Sequence, residues 1–217
     1  MPIDGSKLVQ TVEKAASSSE KNFRQSMDLI VNLRDVDLKK PGTKLNEPVE
    51  LPHNIPKTVK VCVIGSGQMV LDAKKAGADM TLTREELEGL AKDKKAARKL
   101  AKEIDSFIAE APFMPTVGKT VGSFLGPRGK MPTPVPPNSP LQSVIEKHRR
   151  TIKVRVGGQP VIQCRVGTGD MPPQHIAENI QAVLRLLEQK LERGERNIGN
   201  IYVKSTMGAP VRVESGE

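Results

Sequence analysis

A run of small polar residues near the end of the sequence has the chemistry of a contact with a ribose-phosphate chain. Residues 200–204 alternate apolar and polar side chains, which is typical of a β-strand. The next four residues bring two hydroxyls, a flexible apolar side chain and a residue without a side chain, so another polar backbone can approach closely. A strand followed by an ordinary turn explains the same residues. The four are Ser205, Thr206, Met207 and Gly208.

Two glycine-containing segments resemble phosphate-binding loops, but each lacks a residue that such a loop needs. Gly65-Ser66-Gly67 follows a strand pattern, yet Val70 stands where the third glycine of a dinucleotide-binding turn belongs. Gly118-Lys119-Thr120 has Phe113 in place of the glycine five residues earlier. The three histidines are far apart and have no cysteine neighbours, so a zinc site is not expected. We therefore expect neither a cofactor nor a metal.

The composition favours a basic protein of the cytoplasm with a nucleic-acid partner. Lys and Arg number 34 against 25 acids among 217 residues, giving a net charge of +9. No stretch approaches the roughly 20 apolar residues of a membrane span, and the first residues lack a signal-peptide pattern. Cys62 and Cys164 each lie in an apolar run, which predicts free buried thiols. One Tyr, four Phe and no Trp argue against stacking bases on aromatic rings.

The two ends of the chain share one pattern, that of antiparallel strands with amphipathic helices. We expect Asp4 to cap the first helix, and Gly157-Gly158 to join two strands in a two-residue hairpin. These ends, residues 1–55 and 150–217, predict one discontinuous α+β domain with an antiparallel sheet. The patterns are helices at 4–18 and 173–191 and strands at 26–34, 152–156, 161–166 and 200–204.

Residues 56–149 follow a different pattern, in which strands and helices alternate. Residues 59–64 are almost all apolar, as expected of a strand covered on both faces. Thr83 and Glu86 have the spacing of a helix capping box. The alternation predicts a small parallel three-layer α/β domain inserted into the first one, so the whole chain is an α/β protein of two domains.

Positive charge is concentrated in the inserted segment. Residues 56–149 carry a net +6, against +3 for residues 150–217 and zero for residues 1–55. The lysine-rich helix at 92–102 is most simply a solvated face that adds non-specific attraction to RNA. The Gly-Pro-Arg-Gly-Lys turn at 126–130 would hold two cations outward, either to touch phosphate or as an ordinary structural turn.

Several segments, in order along nearly the whole chain, resemble one protein family. The first begins at Phe23, a lone aromatic residue among polar neighbours. The segments are residues 23–33, 51–53, 77–79, 124–132, 177–180 and 202–208. Together they are similar to the L-one family of large-subunit ribosomal proteins, found in the mobile ribosomal stalk. Residues 134–137 and the short N-terminus resemble archaeal members.

The resemblance implies a function for each domain. The discontinuous domain would bind a folded site in large-subunit ribosomal RNA, and the same surface would bind a mimic in the protein's own mRNA and repress translation. The inserted domain would be Rossmann-like, without a nucleotide, and lie towards the transfer RNA at the exit site. No membrane partner is expected, and off the ribosome the protein would be a monomer.

Family positions that contact RNA correspond to residues of both ends of the chain. Lys204, Arg24 and Arg165 would add a salt-sensitive attraction, and the hydroxyls and backbone of residues 205–208 would read ribose 2′-hydroxyls. A nucleotide-dependent enzyme and a non-ribosomal RNA-binding regulator remain as alternatives. The corresponding positions are Glu13, Phe23, Ser26, Asn200, Thr206, Met207 and Gly208.

Overall fold

The chain forms two compact units, each with its own apolar core. Met1–Lys57 and Arg150–Glu217 make the discontinuous unit, and Thr58–Arg149 make the inserted unit. The computed structural model describes residues 5–18, 23–37, 45–56, 59–137 and 139–213. Asp4, the expected cap of the first helix, lies outside these ranges.

The helices and strands are numbered in chain order. The helices are α1 (Gly5–Ser17), α2 (Gly67–Lys75), α3 (Arg84–Lys92), α4 (Lys94–Glu103), α5 (Met114–Thr120), α6 (Gly122–Leu125), α7 (Leu141–Arg150) and α8 (Pro173–Lys190). The strands are β1 (Ser26–Leu33), β2 (Asn46–Glu50), β3 (Val61–Ile64), β4 (Met80–Leu82), β5 (Ser106–Glu110), β6 (Thr133–Val135), β7 (Thr151–Arg155), β8 (Val161–Thr168), β9 (Ile198–Ser205) and β10 (Val211–Arg212).

The main sheet of the discontinuous unit has the antiparallel order β10-β9-β1-β8. The alternation predicted for β1 is confirmed, because Met27, Leu29 and Val31 are fully buried in the core that contains α1 and α8. The intervening side chains of Asp28 and Ile30 are only half-buried. The sheet therefore has a helix-covered face and a second face, which we call the open face.

Strand β7 pairs with β2 in a separate two-stranded sheet, so the predicted two-residue hairpin with β8 is wrong. A single bridge between Val156 and Ile162 joins the ends of β7 and β8. Gly157-Gly158 is the start of a longer loop that reaches Pro160, whose carbonyl accepts the Leu33 N–H at 2.8 Å. Proline has no N–H that could continue the hydrogen bonds between β7 and β8. Strand β8 pairs with β1 instead.

The inserted unit has a parallel sheet of order β4-β3-β5-β6 between two layers of helices. Along β3, Val61 and Val63 belong to the core with residues of α2 and α7. Cys62 and Ile64 belong to the other core, with residues of α3 to α6. Because β3 contributes to both cores, its residues form a continuous apolar run. The parallel sheet of this unit and the antiparallel sheet of the other unit confirm the predicted fold class. The sequence does not predict strand β6, because a proline such as Pro134 is disfavoured inside a sheet. It is tolerated here because β6 is an edge strand.

The turn at 126–130 holds one cation outward rather than the two expected. Arg128 is exposed, but Lys130 Nζ donates to the carbonyls of Ala101 and Ile104 at 3.2 and 2.5 Å. These carbonyls lie at the C-terminal end of α4, where helical partners are lacking. Lys130 therefore caps a helix. The capping box at Thr83 is confirmed.

Cys62 and Cys164 are free and buried, as predicted. Burial, and to a lesser extent the nearby carboxylates of Glu86 for Cys62 and Asp28 for Cys164, raises the pKa of each thiol to about 12. Both thiols are therefore protonated and unreactive at neutral pH. Of the helices in the described ranges, none has the length and apolar character needed to cross a membrane.

Candidate nucleic-acid interface

The pairing of β1 with β9 brings two distant segments of the sequence side by side. Asp28 lies opposite Lys204 in the register. Beyond the end of β9, the Thr206 N–H donates to the Ser26 carbonyl at 3.0 Å, and the Met207 N–H donates to Gln25 Oε1 at 2.9 Å. Residues 23–28 and 204–208 thus lie side by side, and we call these two segments the composite site.

The side chain of Thr206 is exposed to solvent, and two hydrogen-bond acceptors lie on the protein side of its hydroxyl. Its Oγ1 lies 3.1 Å from the Ser26 carbonyl oxygen and 3.1 Å from Asp28 Oδ2. A hydroxyl has one proton and two lone pairs. Because both neighbours are acceptors, the proton points into the protein. The outer side of Oγ1 then offers lone pairs to an incoming donor.

Asp28 lies between two cations on the open face. Arg165 of β8 and Lys204 of β9 are its partners in the two registers. Burial raises the pKa of Asp28, whereas the hydrogen bond from Thr206 and the charges of Lys204 and Arg165 partly offset that rise. These side chains line a cavity of about 300 Å³. The lining residues are Asp28, Ile30, Gln163, Cys164, Arg165 and Lys204.

The raised pKa of Asp28 has a consequence for stability. Between the ordinary value of 3.8 and the higher folded value, the folded state binds more protons than the unfolded state. The free energy of unfolding therefore falls as pH rises through this window. The ionised form of Asp28 is therefore less favourable in the folded state than in the unfolded state.

Ser205 is oriented differently from what the sequence predicts. Its side chain is 2% exposed, and its Oγ has no hydrogen-bond partner among the described residues. Strand alternation puts Ser205 on the covered face with Met27, its partner in the register, and Thr206 on the opposite side. The two adjacent hydroxyls are therefore not equivalent, and only that of Thr206 is accessible.

Gly208 lies where there is no room for a side chain. A methyl group there would overlap Ser205 Oγ and come within 2.9 Å of Ser18 Oγ, beside the end of α1. The Gly208 N–H donates to the Ser205 carbonyl at 2.9 Å. The close approach that requires glycine is therefore to the protein's own residues.

Two large apolar side chains of the composite site are exposed. Phe23 is 59% and Met207 is 64% exposed, although burial would stabilise both. Arg24 Nε lies 2.6 Å from Asp170 Oδ2, which ties the segment at 23–25 to the loop after β8. Exposed apolar groups beside polar ones are typical of a surface that binds a partner.

Glu13 and Asn200 lie outside the two segments of the composite site. Glu13 is exposed on α1, and its carbonyl accepts the Ser17 hydroxyl at 3.0 Å. Asn200 shares the side of β9 that bears Lys204, but it precedes Thr206 by six positions, or roughly 20 Å of strand. A ligand that touches both Asn200 and Thr206 must extend along β9.

Sequence reasoning missed two residues that shape the composite site. Gln25 is 7% exposed, and besides binding Met207 it accepts the Gly169 N–H on its carbonyl at 2.9 Å. No local pattern distinguishes this glutamine from its polar neighbours. Asp28 could have been found, because the alternation of β1 already put it on the solvent side, next to the expected site.

The glycine turn of the inserted unit has its own carboxylate partner. The Ser66 N–H donates to Glu110 Oε2 at 2.8 Å, and Glu110 is 7% exposed. A dinucleotide phosphate would occupy this position at the start of α2. The carboxylate would repel it, which weakens the nucleotide-binding alternative. No cluster of three or more metal-binding side chains occurs in the described ranges.

Comparisons with known proteins identify the family. The profile of the ribosomal protein L1p/L10e family matches residues 13–209. The large ribosomal subunit protein uL1 of Methanothermobacter thermautotrophicus is 46% identical over 207 residues, covering 95% of this chain and 98% of the relative. The uL1 protein of Thermofilum pendens is 48% identical over 209 residues, covering 95% and 92%. That of Thermococcus kodakarensis is 45% identical over 216 residues, covering 99% and 100%.

The chain therefore belongs to the ribosomal protein L1p/L10e family. The resemblance stated from the sequence is confirmed, including its archaeal character. Because this is a family of ribosomal proteins, the chain is not an enzyme, and the nucleotide-dependent enzyme left open by the sequence is excluded.

Proposed function

We propose that this chain is a constituent of the large ribosomal subunit and binds large-subunit ribosomal RNA through the composite site. One observation carries the proposal. The Thr206 hydroxyl bonds to Ser26 and Asp28 on its protein side, and two exposed apolar side chains, Phe23 and Met207, belong to the two adjacent segments. Family membership supports the choice of ribosomal RNA as the ligand.

The proposed contact combines an oriented acceptor with a cover that excludes water. Thr206 Oγ1 accepts a hydrogen bond from a ribose 2′-hydroxyl, the group that distinguishes RNA from DNA. Phe23 and Met207 close over the contact, and the lower local dielectric strengthens the bond. Lys204 and Arg165 attract the neighbouring phosphates in a salt-dependent way.

The other predicted residues have supporting roles in this proposal. Glu13, Arg24 and Asn200 contact the RNA outside the centre, which requires RNA that extends along β9 and towards α1. Ser205 and Gly208 act on the protein side, because they shape the turn that presents Thr206 and Met207.

The regulatory and transfer-RNA functions also belong to this proposal. A messenger that folds like the ribosomal site would compete for the same surface, so the protein would repress its own translation when ribosomal RNA is scarce. The inserted unit would lie towards the exit-site transfer RNA, and its α4 exposes Lys94, Lys95, Arg98 and Lys99. Off the ribosome, the protein would be a cytoplasmic monomer.

The test compares Thr206→Ala with Thr206→Ser. The alanine variant loses the acceptor, so we expect its affinity for a large-subunit ribosomal RNA transcript to fall about 5- to 150-fold, equivalent to ~1–3 kcal/mol. The serine variant keeps the hydroxyl and should lose less than about threefold. Fluorescence anisotropy at one fixed salt concentration measures both.

Two controls make this test specific. Thermal unfolding of both variants checks that the alanine change does not act by unfolding the protein. Equal affinities of Thr206→Ala and Thr206→Ser would show that the hydroxyl does not contact RNA. Failure of the wild-type chain to bind the transcript and to sediment with large subunits would reject the ribosomal assignment, in favour of another RNA partner.

A further inference from the structure

We propose that Asp28 makes the composite site selective for the ribose hydroxyl over phosphate, by keeping the Thr206 hydroxyl an acceptor and by offsetting the cations beside it. This inference rests on the proposed function, because it concerns how the same site recognises RNA. Asp28 is not among the positions that the sequence resemblance assigns to RNA contact.

Asp28 and Ser26 together fix the direction of the Thr206 proton. Asp28 Oδ2 and the Ser26 carbonyl oxygen both lie 3.1 Å from Thr206 Oγ1, and neither can donate when Asp28 is ionised. The outward lone pairs of Oγ1 attract a ribose hydroxyl, which has a proton to give. They repel a phosphate oxygen, which has none.

The carboxylate of Asp28 also offsets positive charge on the open face. Lys204 and Arg165 face Asp28 from the strands on either side. Arg165 Nε is buried and has no hydrogen-bond partner among the described residues, so its charge is incompletely satisfied by the protein. Without Asp28, these two cations would attract phosphates of any nucleic acid. With Asp28, one of the two positive charges is offset.

The charge of Asp28 does not serve stability. Its carboxylate is half-buried, and burial raises its pKa, so ionisation is less favourable in the folded state than in the unfolded state. An asparagine there would keep the shape without the charge. A destabilising charge in the middle of a binding surface is expected where function requires it.

The experiment measures discrimination between two forms of one RNA. A large-subunit ribosomal RNA transcript is compared with the same transcript carrying 2′-fluorine, which keeps the A-form but cannot donate a hydrogen bond. We expect the wild-type chain to prefer the hydroxyl form by about tenfold or more. In Asp28→Asn the amide NH2 can donate to Oγ1 and occupy one of its two lone pairs, so this preference should fall to about threefold or less.

A second readout and a matched control separate position from charge. Asp28→Asn should elute from heparin at higher salt, because a cation is freed for polyanions. Glu192→Gln removes the same charge from an exposed site after α8 and should leave the hydroxyl-to-fluorine ratio unchanged. Every variant meets the same two transcripts, so effects of fluorine on RNA folding cancel in the comparison.

Each outcome either supports or overturns the role inferred for Asp28. A lower ratio in Asp28→Asn alone supports the inference. An unchanged ratio in Asp28→Asn, or an equal fall in Glu192→Gln, overturns it while the proposed function stands, provided that the wild type binds the transcript. If the wild type does not bind either transcript, the proposed function fails and the inference falls with it.

Discussion

Gly208 shows at the scale of single residues how tightly the composite site is built. It lies against Ser205 and the end of α1, where a methyl group would overlap Ser205 Oγ. That oxygen is itself buried without a partner among the residues described, so it is both an obstacle and an unsatisfied group. The two features predict a specific coupling between positions 205 and 208.

We predict that Gly208→Ala destabilises the protein and that Ser205→Ala relieves much of this loss. Overpacking should cost Gly208→Ala about 1–3 kcal/mol of unfolding free energy. Ser205→Ala alone should be neutral or stabilising, because it removes a buried hydroxyl that lacks a partner. In the double variant the overlapping atom is absent, so the two effects should couple by roughly 1 kcal/mol. Urea unfolding of the four proteins measures this coupling.

The same variants separate stability from binding. Gly208→Ala should weaken RNA binding because it displaces the turn that presents Thr206, and the double variant should recover affinity together with stability. Additive effects on stability would contradict the packing assigned to Gly208. Recovery of stability without recovery of affinity would mean that Ser205 Oγ contributes to the RNA contact after all.

At the scale of elements, the C-terminal end of α4 depends on a side chain from a distant turn. Lys130 Nζ donates to the carbonyls of Ala101 and Ile104 and lies 3.9 Å from Asp105 Oδ1. A cation at this end also interacts favourably with the helix dipole. The Gly-Pro-Arg-Gly-Lys turn is therefore at least partly a structural device of the inserted unit.

We predict that Lys130→Met destabilises the inserted unit by about 1–2 kcal/mol, because two carbonyls lose a charged donor. Arg128→Met is the matched control, since it removes an exposed cation from the same turn and should change stability by less than about 0.5 kcal/mol. Hydrogen exchange of the amides in α4 measures the local effect. Equal protection in the two variants would contradict the capping role.

The elements differ in how far the sequence predicts them. The alternation of β1, the apolar run of β3 and the capping box at Thr83 are local signals, and the structure confirms all three. The partner of β7 is not a local property. Pairing with β2, about a hundred residues away, outweighs the turn signal at Gly157-Gly158. Local patterns therefore predict elements better than their partners.

The composite site shows the same limit. Thr206 and its flexible apolar neighbour Met207 stand out by residue type and are exposed. That Ser205 points the other way follows from strand alternation, provided that the strand is extended to its last residue. The hydrogen bond between the Met207 N–H and Gln25 spans 182 positions of the sequence, so no local pattern predicts it.

At the scale of the whole molecule, net charge and the proposed binding surface lie in different units. The inserted segment at 56–149 carries +6, more than the rest of the chain. A diffuse positive charge attracts any polyanion, whereas specific recognition needs oriented groups in fixed positions. The two contributions can be separated, because each unit has its own core.

We predict that a shortened chain, in which a Gly-Ser linker joins residues 1–57 to 150–217, keeps RNA affinity within about threefold at moderate salt. The Leu51 N–H donates to the Arg150 carbonyl at 3.0 Å, so the chain ends flanking the insertion run side by side in the discontinuous unit. The dependence of affinity on salt should become shallower, since the lysine-rich helix is removed.

Circular dichroism first establishes that the shortened chain is folded. Thr206→Ala in the shortened chain should lower the affinity for RNA by the same factor as in the full chain. A folded shortened chain that loses affinity by a hundredfold or so would assign the RNA contact to the inserted unit, because the composite site would then be insufficient by itself.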